Sequence, residues 1–172
     1  MKEIKLNKVN TFLQSGPVIL LSTNYKGKNN FMPMSWHTMI DFDPPLIGVV
    51  VGRESFTHKA LLKTKEAAIN IPSVKMIKQS LLAGKISGSK TDKFIKTGLE
   101  AIKASGVKAP LIEGCQACME CVLHDYSMAK KYDFFILRVV KAYLNESVKI
   151  TDTFRHITGD MFMLGGKIKK VR

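Results

Sequence analysis

The 172-residue chain is 45% hydrophobic and 24% charged, enough for one globular domain, residues 1–172, with a real core. No apolar run approaches the ~20 residues of a membrane-spanning helix, and the alternating Met1–Lys8 segment lacks a signal-peptide core, so a cytoplasmic protein off the membrane is expected. The net charge of +13 is spread evenly, with a small cluster at Lys167, Lys169, Lys170 and Arg172; dedicated nucleic-acid binders concentrate charge, whereas a diffuse positive field draws in small anions.

In chain order, residues 17–24 read as an apolar, β-branched strand, followed by a hairpin loop with Gly27 at its tip. The spacing predicts one returning strand over 31–40, with Met32, Met34, Trp36 and Thr38 on one face and Phe31, Ser35, His37 and Met39 on the other. Pro33 cannot donate to a ladder and argues for an edge or a bulge. After an Asp43-Pro44-Pro45 turn, Leu46 to Val51 reads as a strand buried on both faces. Thr57 is the expected N-cap of a helix over 58–65, with Phe56 and Leu61 as its hydrophobic staple. Ala67 to Ile71 is a strand. Ser73 is expected to cap a helix with Val74, Ile77 and Leu81 on one face. A short helix over 91–97 stops at Gly98. Strands around 119–126 and 134–144 complete a mainly β, β-rich α+β pattern with inserted helices, which predicts a barrel.

The strand carrying Met32, Met34 and Trp36 offers a flat, soft, apolar face, and the Arg53/Ser55/Thr57 cluster beyond it offers donors for an anion. A ligand with a large aromatic ring at one end and a phosphate at the other suits that pairing, and flavin mononucleotide (FMN) is such a ligand. Five blocks carry a more specific resemblance: Asn30-x-Met32-x-x-Ser35-Trp36, Asp43-Pro44-Pro45, Arg53-x-Ser55-x-Thr57, Ala68 to Pro72, and Ser87 to Phe94. In this order and spacing they resemble the flavin reductase-like, FMN-binding split-barrel family, with flavoredoxins as the nearest likeness.

That resemblance implies a six-stranded antiparallel split barrel, working as a homodimer, with FMN near the subunit interface. It implies that Met34, Ser35, Trp36 and His37 flank the flavin ring, and that Arg53, Ser55 and Thr57 hold the phosphate and ribityl chain. Asn70 lies beside the flavin, and Ser87, Gly88, Ser89 and Lys93 close over the phosphate. Asn30, Met32 and Phe56 belong to the same blocks. The activity implied is electron transfer from NAD(P)H through FMN to an acceptor, with a flavoredoxin-type carrier reduced by a partner protein as the alternative. An aromatic residue that many members carry after Gly-Gly is replaced here by the segment from Lys167 to Arg172, which favours the carrier.

The remaining candidates are weaker. Cys115, Cys118, Cys121 and His124 recur every third residue, a spacing that suits zinc or an iron–sulfur cluster. With three cysteines, and with Cys121 and His124 on opposite faces of a strand, buried or free thiols are expected first, a redox-active Cys115/Cys118 pair second, and a metal last. His37, His58, His124 and His156 are scattered and form no catalytic motif. A basic barrel binding nucleic acid needs aromatic residues interleaved with Lys and Arg, and Trp36 is flanked by Met, Ser and His instead.

Overall fold

A computed structural model of the chain describes residues 16–169. Met1–Lys8, and Lys170 and Arg172 of the basic cluster, lie outside them. The strands β1 (Ile19–Tyr25), β2 (Lys28–Met34), β3 (His37–Phe42), β4 (Pro45–Val50), β5 (Glu66–Ile71), β8 (Ala117–Asp125) and β9 (Phe134–Leu144) form one antiparallel sheet in the order β2-β1-β5-β8-β9-β4-β3. Its two edge strands, β2 and β3, are consecutive in the chain and joined by Ser35 and Trp36 alone. The three Cα–Cα steps from Met34 to His37 reach at most ~11 Å, so the sheet must curl until its edges approach each other. That is a split barrel, with the split at Ser35–Trp36.

Alternation builds two cores. Ile19, Leu21, Val49, Ile69, Phe135 and Leu137 point into the barrel, while Leu20, Phe31 and Ala68 pack outward under the helices and the 99–118 segment. The continuous apolar run of β1 therefore serves both layers. The helices are α1 (Phe56–Thr64), α2 (Ile77–Lys85), α3 (Lys93–Thr97) and α4 (Ala129–Tyr132). Short β6 (Ala101–Ile102) and β7 (Leu111–Ile112) pair with each other, and β10 (Phe154–Thr158) pairs with β11 (Met161–Leu164) as a separate hairpin.

Several expectations are corrected. The main sheet has seven strands, not six, because the predicted 31–40 strand is two strands broken at the barrel seam. The break separates the stripe: Met34 is buried, whereas Trp36 is 55% exposed. Ser55, not Thr57, caps α1, its Oγ accepting the His58 amide at 3.1 Å. Phe56 thereby becomes the first helical residue and packs edge-on against Tyr25 instead of stapling to Leu61. Ser73 makes no side-chain cap; a 3-10 turn (Val74–Met76) follows it, and α2 buries Ser80 and Ala83 more deeply than the expected Val74–Ile77–Leu81 stripe. Other readings hold. Pro33 does lie on an edge strand, and Gly98 ends α3 in the left-handed conformation, φ 69°, donating to the Phe94 carbonyl.

One buried charge organises the outer layer. The Glu120 carboxylate, fully buried on β8, accepts from the Ser105 amide and hydroxyl at 2.9 and 3.0 Å, the Gly106 amide at 2.6 Å and the Tyr143 hydroxyl at 2.6 Å. Burial on its own raises a carboxyl pKa, but these donors outweigh it and hold Glu120 down at about 2.

Candidate functional site

A cleft runs along the outside of β2, between that strand, α1, α2 and the loop leading to α3. It has two lobes, of about 500 and 400 Å³, that share Pro33, Gly84 and Lys85 as their waist. Both volumes fall in the ~300–1,000 Å³ range of small-molecule sites. The first lobe is rich in donors; the second is walled by Val18, Met34, Leu81 and Phe162.

The donor-rich lobe is assembled from four elements. Asn30 of β2 is buried, and its amide donates to Thr57 Oγ1 at 2.9 Å, fixing the first turn of α1 against the strand. Phe56 and Thr57 open α1, where the amides have no partner within the helix and the positive end of the dipole lies. Asn30 Oδ1 is buried without a hydrogen-bond partner among the described residues. Gly88 is packed directly over it, since a Cβ there would lie 1.9 Å from that oxygen. Only glycine permits this approach. Ser87 and Ser89 hydroxyls meet at 2.8 Å beside it.

Lys93 is the most telling member. Its residue is 5% exposed, and its ammonium donates to the Ala83 carbonyl at 2.7 Å. Burial lowers its pKa to about 8. A buried ammonium has three donors, so one carbonyl among the described residues leaves it short of partners. The lobe beside it is where an anion would complete its shell.

Of the sequence candidates, Asn30, Met32, Ser55, Phe56, Thr57, Ser87, Gly88 and Lys93 line the donor-rich lobe, and Met34 and Ser35 line the apolar lobe. Four residues lie elsewhere. Arg53 pairs with Asp133 at 3.2 Å. Asn70 is buried in the protein's own hydrogen bonds, donating to the Leu20 carbonyl at 3.0 Å and accepting the Ile112 amide at 3.0 Å. His37 holds the Pro17 carbonyl at 2.8 Å, and Trp36 stands exposed at the barrel seam. Ser89 touches the lobe only through Ser87.

Sequence reasoning missed Gly84, Lys85, Ser80 and Phe162, and favoured an ordinary surface or core role for His156 over one that reaches a nicotinamide or a partner. A glycine inside α2 was a usable signal for close approach: a Cβ on Gly84 would come within 3.3 Å of the Pro33 ring. Ser80 Oγ, buried without a partner among the described residues, borders the apolar lobe. The β10–β11 hairpin closes that lobe with His156 and Phe162, and Asp160 meets Lys85 at 3.7 Å across the waist. No local pattern reveals such a tertiary contact.

The family model described as flavin reductase like domain matches residues 13–160. A protein of Archaeoglobus fulgidus is 34% identical over 94 residues, which cover 55% of this chain and only about half, 53%, of that relative. The YddH protein of Escherichia coli is 26% identical over 178 residues, covering 95% and 94% of the two chains. Among solved structures, the flavoredoxin of Methanosarcina acetivorans is 26% identical with a TM-score of 0.84, covering 99% of this chain and 95% of its own. The FMN-binding domain of a flavin reductases-like enzyme from Shewanella baltica gives 24% identity and a TM-score of 0.83 over 98% and 96%. The latter shows the shared fold.

Proposed function

Because this chain belongs to the flavin reductase like domain family, we propose that it is an FMN-binding oxidoreductase that transfers electrons from NAD(P)H to an acceptor. The observation that carries this reading is the continuity of the cleft: one waist at Pro33 and Gly84 joins an apolar wall to a lobe lined by Thr57, Ser87 and Lys93. The residues present fit the cofactor. Lys93, the Thr57 hydroxyl and the first-turn amides of α1 would hold the phosphate, as charge-assisted donors aimed at an anion. Gly88 allows the 87–89 backbone to approach it closely. Met32, Pro33 and Met34 would support the ring by dispersion, and Ser35 opens the seam toward it. When bound, FMN supplies hydride acceptance and onward electron delivery, chemistry that asks of the protein only position, polarity and exclusion of water. The scattered histidines are consistent with that division of labour.

A second copy of the chain is proposed to cover the exposed β3 edge. There Trp36, Met39, Ile40 and the 87% exposed Phe42 form an apolar strip that pairing with a twin strand would bury. Sedimentation at twice the 19.2 kDa chain mass is expected.

The direct test is spectroscopic. Adding micromolar FMN should quench flavin fluorescence and perturb its visible bands; a protein indifferent to FMN would overturn the proposal. Adding NADH or NADPH to the loaded protein without oxygen should bleach the flavin. Persistent colour would favour the carrier alternative.

A further inference from the structure

We propose that the outer face of α1, with the turns packed around it, is a docking surface for an acidic protein. On the flavin reading above, on which this role rests, that protein is the chain's electron-exchange partner.

The positive charge is even along the sequence but gathered in space. α1 packs Leu61 into the barrel core and leaves Lys59 and Lys63, one turn apart, exposed on its outer side. Contacts tie three further segments to this helix. The β1–β2 hairpin meets its first turn through the Tyr25 and Phe56 rings, 6.3 Å apart, and brings Lys26 and Lys28. Arg53, just before the helix, donates to the Lys130 carbonyl of α4 at 3.5 Å, and Lys131 follows. At the far end the Lys65 carbonyl accepts the Leu123 amide of β8 at 2.8 Å. Among the described residues none of these lysines makes an ion pair. The nearby carboxylates are mostly engaged: Asp133 by Arg53 at 3.2 Å, Asp125 by the Ser127 amide at 2.7 Å, and Glu66 by the Lys108 amide at 2.8 Å. Glu54 is exposed, at the border with the cleft. The surface meets the proposed flavin cleft at Phe56, which lines the donor-rich lobe.

The side chains discriminate between polyanions. The lysine–aromatic contacts among the described residues all lie here: Lys26 on Tyr25, Lys28 on Phe56, Lys65 on Tyr126 and Lys131 on Tyr132, with the ammonium 3.5 to 5.8 Å from the ring centre. A ring already covered by an ammonium has one face fewer for base stacking, the contact that holds single-stranded nucleic acid. Arg53, whose fork would suit a phosphate, is taken by Asp133. What is left is a field of ammonium point charges with exposed Met128 and Tyr132 among them. That combination fits carboxylates across a small, charge-steered protein interface.

The test measures binding of the full-length protein, with and without added FMN, to an immobilised plant-type ferredoxin as the acidic probe. Expected is micromolar binding at about 20 mM salt that weakens at least about tenfold by about 200 mM. Lys59→Glu/Lys63→Glu should weaken it at least about tenfold, whereas Lys149→Glu/Lys167→Glu, the same change in net charge outside the surface, should weaken it less than about threefold. Circular dichroism checks that each variant is folded. No binding by wild type, or equal losses in the two double variants, would overturn the proposal. So would tighter binding of a single-stranded oligothymidylate that is lost in Lys59→Glu/Lys63→Glu, which would assign the surface to nucleic acid. FMN binding without ferredoxin binding defeats this proposal alone; ferredoxin binding by a protein indifferent to FMN upholds the docking surface and defeats only the flavin reading.

Discussion

Glu120 and Lys93 are both buried charges, and they are treated in opposite ways. Glu120, on the 105–106 side of the barrel, is surrounded by donors from two backbone amides and two hydroxyls, so its charge is stabilised and its pKa falls. Lys93, on the cleft side, has one carbonyl, so its charge is strained and its pKa also falls, here against ionisation. The same direction of shift means satisfaction in one case and want of a partner in the other. A fully satisfied buried charge is a structural part; an under-satisfied one facing a cleft is a candidate ligand site.

The largest effect expected from breaking this contrast is on stability. Glu120→Ala strands the Ser105, Gly106 and Tyr143 donors and should cost about 3–5 kcal/mol, read as a drop in urea midpoint at unchanged slope. Lys93→Met should do the reverse. It removes a poorly solvated charge and should leave stability within about 1 kcal/mol of wild type, while weakening FMN by about 1.5–3 kcal/mol. Gly88→Ala should weaken FMN by about 1–2 kcal/mol, because the added methyl must displace the Asn30 side chain that positions Thr57.

The pH responses separate the two charges again. The stability that Glu120 contributes is complete above its ordinary pKa of 4.5 and is lost as pH falls toward about 2. For Lys93, the unfolded chain keeps its proton up to about 10.5 while the folded chain releases it near 8, so this group's contribution to stability rises with pH across that window. Urea midpoints from pH 2 to 11 in wild type, Glu120→Gln and Lys93→Met check both signs. The smallest effect belongs to Arg53→Ala. Its partner is Asp133, so FMN affinity should change by less than about twofold, within the ~0–1 kcal/mol of an exposed ion pair.

How much of this was legible in the sequence depends on the range of the interaction. β1, β5, β9 and the Gly98 stop were readable because β-branched runs and a terminal glycine act locally. The break at Ser35–Trp36 was not, since alternation continues across it and only closure of the barrel forces it. Thr57 and Ser55 are both good caps by type, and tertiary capture of Thr57 by Asn30 decides between them. The blocks that converge on the cleft were visible as motifs. Asn70 and Arg53 belong to the same motifs, yet their side chains are taken by Leu20, Ile112 and Asp133, which lie far away in sequence.

The most direct measurement is the ratio of FMN to riboflavin affinity, followed by fluorescence quenching from pH 7 to pH 9.5. Riboflavin lacks only the phosphate, so the ratio isolates the donor-rich lobe. FMN should bind at least about tenfold more tightly at pH 7, consistent with a charge-assisted contact of ~1.5 kcal/mol or more. The advantage should shrink as Lys93 loses its proton, and it should be small and flat in Lys93→Met. A wild-type ratio near one, or one that ignores both pH and the substitution, would contradict the placement of the phosphate beside Lys93.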